Sequence, residues 1–242
     1  MSREGIYDIH CHIVPGVDDG SANYEETKKL LRMEYDQGVR NIIATPHFRF
    51  RMFETPLSKV REQFKLVQQA AAEIGDDFNV YLGCEFHANM EMVETLDRDL
   101  RPTLADSRYV LTEFSSSSTR AFIKERADAL LTAGYYPIIA HIERYRALRK
   151  DFDFIADLIE MGCEMQVNAD AVIGRNGLGA QRFCKKLMQE DMLHYVASDA
   201  HNLRGRASHM GECCEYLKKH MGRLYTSRIM RDNPSKIVET LR

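Results

Sequence analysis

The chain of 242 residues contains no apolar run near the roughly 18–20 residues that a membrane-spanning helix needs. Residues 1–10 already mix charge with strand character, so no signal peptide is expected and the chain reads as cytoplasmic. No block of five or more Lys/Arg occurs, and 33 basic against 36 acidic residues leave a net charge of −3. A chain so nearly neutral has no long-range field to hold duplex nucleic acid, which is not an expected partner. The six cysteines (Cys11, Cys84, Cys163, Cys184, Cys213, Cys214) lack CxxC spacing and are expected to be free thiols used in packing. There is no linker, repeat or low-complexity tract, and Ser115–Ser118 is the longest run of a single residue type. A single domain over residues 1–242 follows. With 44% hydrophobic residues, it can bury roughly 70–75% of the surface its unfolded chain exposes.

What is present is a strict alternation. Strand-length apolar runs at 6–13, 39–45, 79–85, 109–114, 136–141, 164–168 and 195–198 are separated by helical periodicity at 24–37, 57–74, 90–99, 120–133, 152–161 and 180–190, with more helix after 208. Gly38, Gly75, Gly134 and Gly162 each end a helical pattern and precede a strand. Seven β-α repeats predict a parallel α/β fold, a distorted seven-stranded (β/α)7 barrel of TIM-like type. In such a barrel, chemistry gathers at the carboxyl ends of the strands.

Those ends carry a consistent residue type. The first strand finishes in Asp8-Ile9-His10-Cys11-His12, where alternation turns both imidazoles to one face and the thiol to the other. The others supply His47, Glu85, Glu113, His141 and the Asp199/His201 pair, and the loop after the first strand adds Asp19 ahead of a turn glycine. Five histidines and four carboxylates are too many ligands for one ion. With neutral imidazoles the set carries about −4, which two divalent ions cancel and three invert to about +2, a charge that selects an anionic substrate such as a phosphate. Nitrogen and oxygen donors without thiolate favour Mn²⁺, Fe or Zn²⁺.

Read as DIHCH, VDDG, TPH, GCE, TEF, AHIERY and SDAH, these segments resemble the polymerase and histidinol phosphatase (PHP) superfamily of metal hydrolases. The longer signatures DIHCHIVPGVDDG, MFETP at 52–56, AHIERY at 140–145 and SDAHNLRGR at 198–206 resemble its bacterial capsular and exopolysaccharide tyrosine-phosphatase branch. The resemblance implies the PHP fold with a trinuclear centre, usually manganese-loaded. It also implies protein-tyrosine phosphatase activity on the phosphotyrosine tail of a cognate bacterial tyrosine kinase. Position by position, His10, His12, Glu85 and Asp199 match the ligands of one ion; a bridging Glu85 with Glu113 and His141 match a second; Asp19, His47 and His201 match the third. Arg144 and Arg206 match the arginines that contact phosphate.

On this reading a water bridging two ions ionises near neutral pH and attacks phosphorus. A phenolate, of pKa about 10, leaves without a dedicated general acid. A thiol mechanism would need arginine six residues after a cysteine; Val17, Met90, Ala169, Glu190, Lys219 and His220 stand there. Asp97-Arg98-Asp99 and Asp151-Phe152-Asp153 read as solvated acids, His194 and His220 as residues away from the site, and His87 and His209 as groups able to reach it. The aromatics of Arg49-Phe50-Arg51-Met52-Phe53 read as a substrate loop or packing rather than a stacking patch for nucleic acid. Rival functions are another PHP phosphoesterase such as histidinol phosphatase, a PHP nuclease, and an adaptor that binds phosphotyrosine without hydrolysing it.

Overall fold

The computed structural model describes residues 5–239; residues 1–4 and 240–242 of the expected domain lie outside the described residues. Nine short strands appear: β1 Ile6–Cys11, β2 Val39–Ala44, β3 His47–Phe48, β4 Asn79–Leu82, β5 Glu85–His87, β6 Tyr109–Glu113, β7 Tyr136–Ile139, β8 Glu164–Asn168 and β9 Tyr195–Ala197. They form a three-stranded sheet, β1-β2-β4, and a six-stranded sheet, β3-β5-β6-β7-β8-β9, with every strand pair parallel. The last strand curls back to the first, where Cys11 bridges Ala200 and the His12 N–H donates to the Ala200 carbonyl at 2.8 Å.

The expected count of seven strands is corrected to nine. Two of the expected strands break near their carboxyl ends and resume displaced. After Ala44, Thr45 turns its N–H and hydroxyl to the backbone of Cys11, and Pro46 has no N–H to continue the ladder. The chain restarts as β3. Gly83 and Cys84 interrupt the next strand, where a Cβ on Gly83 would come within 2.8 Å of Leu104. Helices fill the intervals as the periodicity predicts, at Tyr24–Asp36, Leu57–Ile74, Arg120–Thr132, Phe152–Met161, Leu178–Gln189 and Met210–His220; that expected at 90–99 contracts to Met92–Asp97. Gly162 ends its helix left-handed (φ 110°) with its N–H on Ile159 and Leu158 carbonyls, whereas Gly75 is extended (φ 179°) and makes no such cap.

Two apolar layers follow from this winding. A small interior cluster contains Tyr7, Ile9, Ile43, Leu111, Ile138 and Tyr195, and a larger one lies between strands and helices. Strict alternation along β1 cannot place Tyr7, Ile9, His10 and His12 all inward. A register shift between Asp8 and Cys11 resolves this, leaving Cys11 in the outer layer.

Candidate metal centre

The strand ends converge. His10, His12, Glu85, His141, Asp199 and His201 are buried, His47 is nearly so, and Asp19 stands at the rim with its side chain 46% exposed. Three sets of donor atoms lie within 4.8 Å of one another: His12, Asp19, His47 and His201; His10, His12, Glu85 and Asp199; and His47, Glu85 and Glu113. Glu85 is the hub. Its Oε1 is 2.8 Å from His141 Nε2, and its Oε2 is 2.9 Å from His47 Nδ1 and 3.2 Å from Nε2 of both His10 and His12. His141 also approaches Glu113 at 3.8 Å. All nine residues singled out in the sequence thus stand in one basket. His12 touches two of the sets, and His47 leans toward Glu85 as well as Asp19, so proximity divides the residues less cleanly than the resemblance implies.

Whether divalent ions suit this basket can be judged from its lone pairs. His47 Nδ1, Glu85 Oε2 and His201 Nε2 are buried without a hydrogen-bond partner. The first two lie 2.9 Å apart yet do not have hydrogen-bond geometry, so neither satisfies the other. Four imidazoles are held through Nδ1, leaving Nε2 directed inward. His10 Nδ1 meets Gln166 Oε1 at 3.3 Å, His12 Nδ1 meets Asp18 at 2.8 Å, His141 Nδ1 meets the Tyr145 hydroxyl at 3.1 Å and His201 Nδ1 meets the Asp199 carbonyl at 2.9 Å. Fixing the outer nitrogen is how a protein presents the inner one to a cation. The donor set fits.

Sequence reasoning missed this supporting layer. Asp18, the first acid of VDDG, accepts from His12 Nδ1, from the His47 N–H at 2.9 Å and from the Gly20 N–H at 3.0 Å. Gln166 also accepts the His141 N–H, and Asn168 donates to Asp199 at 2.9 Å. The available signal was the alternation of Glu164, Gln166 and Asn168 with the apolar Met165 and Val167 along one strand. Asp18→Ala should cost roughly 10–100-fold in divalent-metal affinity by titration calorimetry, with Asp18→Asn intermediate. Unchanged affinity in the alanine variant would remove Asp18 from this role. Gly20 is equally confined, since a Cβ there would come within 2.2 Å of the His12 carbonyl oxygen. Gly20→Ala should therefore lower stability by about 1–3 kcal/mol, read as a fall in thermal midpoint together with reduced metal content.

Electrostatics reflect the crowding. Burial opposes protonation of His12, but the carboxylates of Asp18 and Glu85 override it and raise its pKa to about 10. Burial and the nearby Arg144 depress His141 to about 4. Burial and the neighbouring Glu85 raise Glu113 to about 7. Asp19, whose Oδ1 lies 3.5 Å from His201 Nε2, is held well below the usual carboxylate range by that imidazole. Arg144 donates to Asp199 Oδ2 at 2.7 Å, while Arg206 reaches Asp199 Oδ1 at 3.2 Å and Asp19 at 3.3 Å. Both guanidinia stand at the basket's mouth.

The thiols stand apart from this chemistry. All six are free and buried, and burial pushes Cys84 and Cys163 up to about 12, the opposite of a nucleophilic thiolate. His220 is exposed and stacks on Tyr216, while His194 sits at the entry of β9. His87 lines the cleft beside Glu113, bonded to Ser115 at 3.2 Å, and His209 pairs with Asp170 at 2.8 Å. Asp151 caps a helix N-terminus, and Asp97 ends another helix.

Parallel strands that deliver a cage of nitrogen and oxygen donors to their carboxyl ends define a class of α/β proteins suited to hard divalent cations. Residues 6–239 match the family model described as "Capsular polysaccharide synthesis, CpsB/CapC", and the chain belongs to that family. Tyrosine-protein phosphatase CpsB of Streptococcus pneumoniae is 40% identical over 238 residues, covering 96% of this chain and 98% of its own. Tyrosine-protein phosphatase YwqE of Bacillus subtilis is 31% identical over 217 residues, covering 90% and 85%. A crystal structure from the pair YwqE of B. subtilis and CpsB of S. pneumoniae, described as unique metal-dependent tyrosine phosphatases, superposes with a TM-score of 0.90 at 29% identity, over 97% of this chain and 95% of that one. An Escherichia coli phosphotriesterase homology protein shares the fold at a TM-score of 0.59 and 15% identity, covering 98% and 100%.

Proposed function

We propose that this chain is a metal-dependent protein-tyrosine phosphatase of capsule or exopolysaccharide synthesis, acting in the cytoplasm on the phosphotyrosine tail of a bacterial tyrosine kinase. The single observation that carries the reading is the basket itself, in which side chains from distant strand ends turn unpartnered lone pairs toward one another. It is supported by the two named relatives, both tyrosine-protein phosphatases. The chain acts as one domain, its parallel strands curled so that the last lies beside the first. No helix among the described residues is long and apolar enough to cross a membrane.

Three divalent ions, Mn²⁺ by preference with Fe or Zn²⁺ as alternatives, would be held by His10, His12, Glu85 and Asp199, by Glu85, Glu113 and His141, and by Asp19, His47 and His201. When bound, such ions supply Lewis acidity toward water and neutralise phosphate charge. The chain's own residues do the rest. Arg144 and Arg206 present planar forks to the equatorial phosphate oxygens, where transition-state charge sits. Gln166, Tyr145 and Asp18 keep the imidazoles oriented. Tyrosine leaves as phenolate and takes its proton from solvent, as a phenol pKa of about 10 allows.

The test is metal analysis of the purified protein, with turnover of a phosphotyrosyl peptide and of histidinol phosphate measured with and without added Mn²⁺. Metal-dependent hydrolysis of the peptide is expected. Preferential turnover of histidinol phosphate would favour the sister activity, and stoichiometric peptide binding without turnover would favour an adaptor.

A further inference from the structure

Beside the basket lies a cleft of about 420 Å³, within the size range of small-molecule sites, whose walls include Glu113, His141, Arg144, the Ser115–Ser117 loop and Arg49. Arg144 is shared with a smaller cleft of about 70 Å³ that it lines with Arg206 and Asp199, but Arg49 belongs to the larger cleft alone. Arg144 is already paired with Asp199. Arg49 makes no ion pair and no side-chain hydrogen bond among the described residues, although it is only partly exposed.

Its backbone, in contrast, is held firmly. Arg49 and Phe53 form an antiparallel bridge, with the Arg49 N–H on the Phe53 carbonyl at 3.0 Å and the Phe53 N–H on the Arg49 carbonyl at 2.8 Å. Phe53 in turn stacks on His47, ring centroids 4.9 Å apart and planes 9° from parallel. A guanidinium outside any ion pair, anchored through its backbone bridge and lining one cleft with the Ser115–Ser117 loop, is placed to meet an anion from outside the chain, its charge already felt by Glu113 and His87.

We propose that Arg49 and this cleft form a subsite for an acidic group flanking the reacting phosphotyrosine, so that the preferred substrate is an acid-flanked phosphopeptide. This rests on the phosphotyrosyl reading above and adds to it the substrate's neighbouring chemistry. Arg49 reads the flank, whereas Arg144 and Arg206 hold the reacting phosphate.

The experiment compares three phosphotyrosyl peptides of equal length whose flanking residues are Glu, Ala or Lys, using the full chain with Mn²⁺. The wild-type kcat/KM should fall in that order, with roughly a fivefold preference for Glu over Ala at low salt that shrinks as ionic strength rises. Arg49→Gln should bring the Glu-to-Ala ratio to about one, and Arg49→Lys should keep part of it. The ratio is internal to each protein, so a general loss of folded enzyme does not imitate the effect. A wild type without preference, a preference that survives Arg49→Gln, or an equal loss on all three peptides would overturn the subsite while leaving the phosphatase reading intact. No hydrolysis of any peptide by the metal-loaded wild type would bring down both.

Discussion

Replacing Glu85 with glutamine should lower phosphotyrosyl-peptide turnover by on the order of 10³-fold or more. Glu85 is completely buried, and its two oxygens lie between 2.8 and 3.2 Å from ring nitrogens of four histidines. A carboxamide has the same shape but removes the negative charge and turns an NH₂ group on lone pairs that a cation would need. Metal content per chain should therefore fall with activity. The fold should survive, because the Glu85 N–H keeps its bond to the Pro46 carbonyl and β5 keeps its pairing with β3 and β6. Circular dichroism and metal analysis on the same sample decide the matter. A folded Glu85→Gln protein with wild-type metal content and turnover would show that Glu85 does not bridge ions.

Chelation should abolish turnover reversibly and lower the thermal midpoint, and the drop should be larger at pH 8 than at pH 6. An ion that binds only the folded state adds about 2.7 kcal/mol at a hundredfold excess over its dissociation constant, or about 5–10 °C for a chain of this size. The pH dependence follows from the metal-free basket. His12, raised to about 10 by Asp18 and Glu85 against the opposing effect of burial, stabilises the metal-free fold fully below its unfolded pKa of about 6.5 and loses that contribution as pH rises through 10. Glu85 and Asp199 are desolvated yet held low by surrounding imidazoles, His10 foremost, with Arg144 adding to the effect at Asp199. Their contribution is present above the ordinary carboxylate range and is lost only in strong acid. Raising pH from 6 to 8 thus weakens the metal-free state. It strengthens the loaded one, because coordination must displace protons from imidazole. Calorimetric scans with and without chelator at both pH values test the sign; a chelator effect that shrinks toward pH 8 would contradict a histidine-rich metal centre.

Much of this architecture was readable in one dimension because the signals are local. A strand shows as an apolar run, a helix as a 3.6-residue period, and residues at the carboxyl end of a barrel strand share one face wherever they fall in the chain. His47, Glu113 and His141, separated by long stretches of helix, could therefore be assigned to one cleft without coordinates. The break at Thr45-Pro46 was not foreseen, because whether a chain resumes pairing after a proline depends on a partner strand, here β5, dozens of residues away.

The alternation of apolar and helical segments, and the position of eight candidate residues near strand ends with Asp19 in the loop after the first, could be read from the sequence alone, since each depends on spacing within a few residues. Tertiary structure decided which acid of VDDG faces the basket and which braces His12, how β1 turns Ile9 and His10 inward together, and why Arg144 and Arg206 are ion-paired while Arg49 has no ion pair among the described residues. These depend on distances between segments that only folding brings within a few ångströms, and lone-pair direction and charge pairing have no periodicity along a chain.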